Sequence, residues 1–136
     1  MKSFALDCNI WLSIFFKRKA EKVFTQIVSH QFKIVYCAEL LKEFEKIHQQ
    51  DDKVKKMLPY ETIIYTNFIK QSAYLVEVEK RYALLNDYKD NYLVDLAHQS
   101  KSTLVSNDKG FDTLKKFHRP PVKLINIKEF YELLEI

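Results

Sequence analysis

Four carboxylates, Asp7, Glu43, Asp90 and Asp108, sit where the surrounding sequence turns from apolar to polar. Asp7 closes the run Ser3-Phe4-Ala5-Leu6, and Asp108 follows Thr103-Leu104-Val105-Ser106 with Asn107 between. Asp90 opens a segment with helical character, Asn91 to Gln99. Glu43 borders the stripe made by Leu40, Leu41, Phe44 and Ile47 on an amphipathic stretch from Ala38 to His48. Acids that converge on one pocket raise one another's pKa values and destabilise the fold unless they share a cation. Oxygen donors suit Mg²⁺ or Mn²⁺, which retain several waters. Such an ion polarises a phosphate oxygen and makes bound water more acidic, which is what phosphodiester hydrolysis requires.

Convergence depends on the elements that carry these acids. Ser3–Leu6, Lys33–Tyr36, Tyr74–Val78, Thr103–Ser106 and Val122–Ile125 read as strands. Between them Asn9–Phe16, Ala20–Ser29, Ala38–His48, Pro59–Phe68, Asn91–Gln99 and finally Glu129–Leu134 read as helices, with Asp51-Asp52 a polar break and a short helix after Asp108. Strands alternating with helices imply βαβ units and a parallel sheet covered on both faces. Ligands then bind beyond the carboxyl ends of the strands, where strand order reverses. Asp7 and Asp108 are expected at that edge, with Asp90 entering from the same rim.

Each acid also has an ordinary structural reading. Asp90 fits a helix N-cap, Asp108 a turn residue in Asn107-Asp108-Lys109-Gly110, and Glu43 a solvent pair with Lys42 or Lys46. Asp7 is the hardest to explain in that way, because a charge directly after a buried strand usually has a partner.

Composition narrows the classes. The 136 residues, 47% hydrophobic, suit one domain spanning 1–136. The single glycine, Gly110, excludes the usual Gly-rich dinucleotide and nucleoside-triphosphate cradles, and a Gly-x-Ser-x-Gly hydrolase turn with them. No apolar run reaches membrane-span length, and Cys8 and Cys37 are too few to staple a fold, so a cytoplasmic setting is expected. The net charge of +4 favours a polyanionic partner. The histidines show no metal-ligand spacing.

In order along the chain, four motifs resemble those of PIN-domain proteins, of the kind found as the VapC-like toxins of bacterial toxin–antitoxin pairs. Leu6-Asp7-Cys8-Asn9 resembles the family's opening Asp-x-Asn, and Glu39-Leu40-Leu41-Lys42-Glu43-Phe44 its acidic helix. Asp87-Tyr88-Lys89-Asp90-Asn91, running into Leu96-Ala97, resembles its D-x-x-D-N segment, and Leu104-Val105-Ser106-Asn107-Asp108-Lys109 its fourth strand end. The resemblance implies a three-layer α/β/α fold with about five parallel strands. It implies Asp7, Glu43, Asp90 and Asp108 as the catalytic, metal-binding acids, with Asn9, Ser106, Asn107 and Asn91 in support. The implied activity is Mg²⁺- or Mn²⁺-dependent hydrolysis of single-stranded RNA to 5′-phosphate and 3′-hydroxyl ends. The implied partners are an antitoxin and a second copy of the chain. Some relatives carry a further acid where Gly110 stands; Asp112 is the nearby candidate to replace it.

Lys17, Arg18, Lys89 and Lys109 are the candidate RNA contacts. Two other readings use the same residues: an RNA- or protein-binding module without turnover, and a phosphohydrolase with Asp7 as nucleophile. The latter chemistry usually has a second Asp where Asn9 stands.

Overall fold

The first strand, β1 (Ser3–Leu6), is buried along its whole length and leads into α1 (Cys8–Phe16) and α2 (Ala20–Ser29). There follow β2 (Lys33–Tyr36), α3 (Ala38–Gln50), α4 (Asp52–Met57), α5 (Thr62–Ser72) and β3 (Tyr74–Leu75). The chain ends with α6 (Asn91–Gln99), β4 (Thr103–Val105), a 3₁₀ helix (Lys109–Lys116), β5 (Leu124–Ile125) and α7 (Ile127–Leu134). The computed structural model describes residues 2–79, 91–116 and 122–136. The sheet has the order β3-β2-β1-β4-β5 and every pairing is parallel. From β1 the chain winds outward to β2 and β3, then returns to add β4 and β5 on the other side. The order therefore reverses between β1 and β4, and helices cover both faces, as the three-layer expectation required.

Aromatic packing fixes the helices around the sheet. Phe15 on α1 makes edge contacts with Phe44 on α3 (5.8 Å), Tyr65 on α5 (5.2 Å) and Phe68 (5.8 Å). Phe4 on β1 packs against Phe130 on α7 at 5.2 Å. Glu43, the residue before Phe44 on α3, lies close enough to Asp7 and Cys8 for its charge to act on both.

A chain with one glycine must end its helices without it. Arg18, Gln31, Lys101 and Glu135 adopt positive φ of 55–58° just beyond helix ends. After α2, Gln31 N–H donates to Val28 O (3.0 Å) and Phe32 N–H to Ile27 O (2.9 Å), the paired bonds of a Schellman motif. Arg18 and Lys101 terminate α1 and α6 by the same pairing. These bonds satisfy carbonyls left open at the helix end and offset a left-handed backbone that costs a side-chain-bearing residue roughly 1–2 kcal/mol.

Several element boundaries differ from the sequence expectation; β5 is limited to Leu124–Ile125, α7 begins two residues early at Ile127, and α5 runs on to Ser72. Asp51 is the N-cap of α4 rather than part of a break, its Oδ1 accepting from Lys53 N (3.0 Å) and Val54 N (3.2 Å). α5 begins at Thr62, after an extended Glu61, so Pro59 lies outside it. β3 ends at Leu75, although Val76 N–H still donates to Tyr36 O at 2.8 Å. The strand lies at the edge of the sheet and meets only the last two residues of β2.

Candidate active site

Asp7 leaves β1 in an extended conformation and becomes the N-cap of α1. Its Oδ1 accepts from Ile10 N–H at 2.8 Å, while its own N–H donates to Val105 O on β4 at 3.1 Å. The second carboxylate oxygen accepts from the Ser106 hydroxyl, and that hydroxyl oxygen accepts from Asp108 N–H at 3.0 Å. Ser106 thus links the acid after β1 to the acid after β4, across the point where strand order reverses. Asp108 is exposed, and its Oδ1 accepts from Gly110 N–H at 2.8 Å, so it also caps the 3₁₀ turn. A Cβ on Gly110 would lie 3.2 Å from that oxygen.

Glu43 faces this centre from α3, half-buried, and accepts a hydrogen bond from the Tyr92 hydroxyl on α6. No described lysine pairs with it. The electrostatics tie the acids together. Burial pushes the Asp7 carboxyl above the usual carboxylate range, and the charges of Asp108 and Glu43 push it further; the bonds from Ser106 and Ile10 pull the other way. Burial, then the charges of Glu43 and Asp7, raises the Cys8 thiol. Tyr92 is raised by burial and by the Glu43 carboxylate, so it stays protonated and acts as a donor. Cys37, buried at the end of β2, is pushed up to about 12, chiefly by burial. Neither thiol is a ready nucleophile.

The structure brings Asp7, Glu43, Asp108 and Ser106 to one neighbourhood. Asp108 and Asp112 line one cleft of about 280 Å³ together with Ser106 and Glu129. Asn9 is exposed in the first turn of α1, and Lys109 is exposed beside Asp108. Asn107 serves a different partner: its Oδ1 accepts from Ile127 N–H at 2.9 Å and anchors the start of α7. Lys17 and Arg18 stand beyond the far end of α1, a nine-residue helix of about 13 Å. Asp90 and Lys89 lie outside the described residues, as does the side chain of Asn91. Two features escaped the sequence reading. One is the helix cap at Asp7, whose signal is the Asp-x-x-Ile spacing before an apolar run. The other is Tyr92, the partner of Glu43, whose signal is its place two residues after Asp90.

A PIN-domain family model matches residues 3–110. The chain belongs to the PIN-domain family. Among solved structures, this PIN domain is similar to VapBC2 from Rickettsia felis, determined bound to a DNA fragment from its promoter. That match has a TM-score of 0.64 and 14% identity, and covers 91% of this chain and 98% of that one. The likeness at that identity is one of fold. No curated protein sequence matches the chain.

Among the described residues of this PIN domain, no group of three or more His, Cys, Asp or Glu side chains is arranged to hold a metal ion. The donor chemistry still suits a hard cation, since the acids are all oxygen donors and Asp7 is burdened by its neighbours' charge. Mg²⁺ commonly takes only one or two carboxylates, and completes its shell with water and substrate phosphate.

Proposed function

We propose that this PIN domain is a Mg²⁺- or Mn²⁺-dependent endoribonuclease that cleaves single-stranded RNA and serves as the toxin of a toxin–antitoxin pair. The observation that carries the reading is the buried Asp7 carboxyl, set at the β1/β4 reversal under the charge of both Asp108 and Glu43. Asp7, Glu43 and Asp108, with Asp90, are the proposed ligands. When bound, the cation supplies charge neutralisation for the phosphodiester and a more acidic water. The residues of the chain supply the rest. Ser106 holds Asp7 and Asp108 in register, Tyr92 fixes one oxygen of Glu43, and Asn9 and Lys109 stand exposed at the rim for substrate.

An antitoxin partner is supported by the similarity to VapBC2 and by apolar side chains left in solvent, among them Tyr60, Ile63 and Ile64. A homodimer would draw on the same kind of surface.

The test is cleavage of an end-labelled single-stranded RNA. Products are expected with Mn²⁺ or Mg²⁺ and not in excess EDTA, and not from Asp7→Asn under any metal. Wild-type cleavage undiminished in EDTA contradicts the proposal. The second reading, a catalytically weak RNA- or protein-binding module, is favoured by the lack of a three-ligand group among the described residues and by Gly110 in place of a further acid. It predicts RNA retention without products.

A further inference from the structure

One opening beside the acids runs along α3. A cavity of about 770 Å³ is bounded, among the described residues, by Lys42, Glu43, Lys46, Ile47, Gln50 and Tyr92, with Asp51 and Asp52 at its far end. That volume is within the usual range for a ligand site, roughly 300–1,000 Å³. Glu43, whose charge acts on Asp7, also lines this cavity, and so the cavity adjoins the acidic centre at the Tyr92–Glu43 hydrogen bond.

We infer that this cavity is the subsite for the nucleotides adjoining the scissile phosphate, with Lys42 and Lys46 as the groups that hold the RNA backbone. The inference rests on the nuclease reading and names where the substrate strand leaves the acids. Lys42 and Lys46 are four residues apart on α3, hence on one face and about one helical turn, ~5.4 Å, from each other. Both are exposed, and neither is in an ion pair with a described residue. Two exposed cations without an ion pair to a described residue, beside a cluster of acids, are suited to a polyanion that must approach that cluster against its repulsion. The Ile47 side chain, the Tyr92 ring and the lysine stems offer an apolar wall for bases, and Gln50 offers hydrogen bonds to their edges. At the far end the Asp51 carboxylate is engaged by the backbone N–H groups of Lys53 and Val54, and Asp52 is exposed. Those acids repel phosphate and leave the lysine side as the path for the strand.

The test is binding without chemistry. A fluorescently labelled single-stranded RNA hexanucleotide is titrated with the wild-type chain in EDTA, from 50 to 200 mM salt. Lys42→Ala/Lys46→Ala is expected to weaken binding about 10-fold and to flatten the slope of log K against log salt by about 1.4, since each phosphate contact on a single strand contributes roughly 0.7. Lys22→Ala/Lys128→Ala removes the same charge from exposed positions on α2 and α7 and is expected to leave both quantities close to wild type. With Mn²⁺ present, the α3 variant is expected to raise KM more than it lowers kcat. Equal losses in the two variants, no loss in the α3 variant, or a wild-type chain that does not retain the RNA at 50 mM salt would each overturn the subsite. Failure of the nuclease reading is told apart by the absence of products when metal is added, whatever the binding.

Discussion

The Tyr92 hydroxyl donates to the Glu43 carboxylate across 49 positions of sequence, joining α6 to α3 at the wall of the acidic centre. The donor is half-buried and stays protonated, so it restrains one carboxylate oxygen and leaves the other available. A group that orients a metal-binding carboxylate typically contributes 10- to 100-fold in affinity. Tyr92→Phe is therefore expected to weaken Mn²⁺ binding about 10-fold in calorimetric titration, with the far-ultraviolet circular dichroism unchanged. Unchanged affinity would assign Tyr92 to packing alone.

Asp7 gives a pH dependence whose sign is fixed by its raised pKa. Its contribution to stability is fully present below the ordinary carboxylate value of 3.8 and is lost as pH rises through the higher folded value. In EDTA, the wild-type melting temperature should carry this loss. Asp7→Asn, which cannot ionise but still caps a helix, should not. At pH 7 without metal the variant is expected to be at least as stable as wild type, and to show little of the rise that Mn²⁺ gives the wild type. Asp7→Ala separates the cap from the charge, and is expected to cost about 0.5–2 kcal/mol relative to Asp7→Asn. Thermal melts across pH measure both.

Gly110 has a negative φ, so its role is space rather than backbone freedom. An added methyl would press on Asp108 Oδ1 from 3.2 Å. Gly110→Ala is expected to keep or raise stability, by up to about 1 kcal/mol through the unfolded chain. It should lower cleavage up to about 10-fold by displacing Asp108, because small misplacements at a reacting centre are costly. Denaturant melts and cleavage assays on the same preparation would show the split.

The left-handed caps offer a prediction remote from the site. Gln31→Gly relieves a strained φ of 57° while retaining the two backbone bonds of the motif. Relief of roughly 1–2 kcal/mol, less about 0.4–1 kcal/mol for the freer unfolded chain, leaves a net gain of up to about 1.6 kcal/mol. Urea unfolding is the appropriate measurement, and RNA cleavage should not change.

What the sequence made legible follows from how local each signal is. β1 and β2 lie where short apolar runs placed them, because a strand buried on both faces of a parallel sheet leaves little other reading for Ser3–Leu6 and Lys33–Tyr36. α4 is not legible, because its six residues bury only Val54 and show no periodicity, its start depending on the Asp51 cap. The placement of Asp7 and Asp108 together was legible from the strand-end rule. Ser106 was expected in support of Asp108, but its bond to Asp7, across 99 positions, was not legible, and neither was the Tyr92 bond to Glu43, which depends on how α6 packs. Asn107 shows the reverse, since a residue next to a site acid turned out to hold the start of α7.

The most direct test of the account is the position of a bound metal. A crystal of the wild-type chain soaked in Mn²⁺, with anomalous data, is expected to show a peak coordinated by Asp7 and at least one of Glu43, Asp90 and Asp108, at the carboxyl ends of β1 and β4. A crystal saturated with Mn²⁺ that shows no peak there, or binds the ion only on another surface, would contradict it.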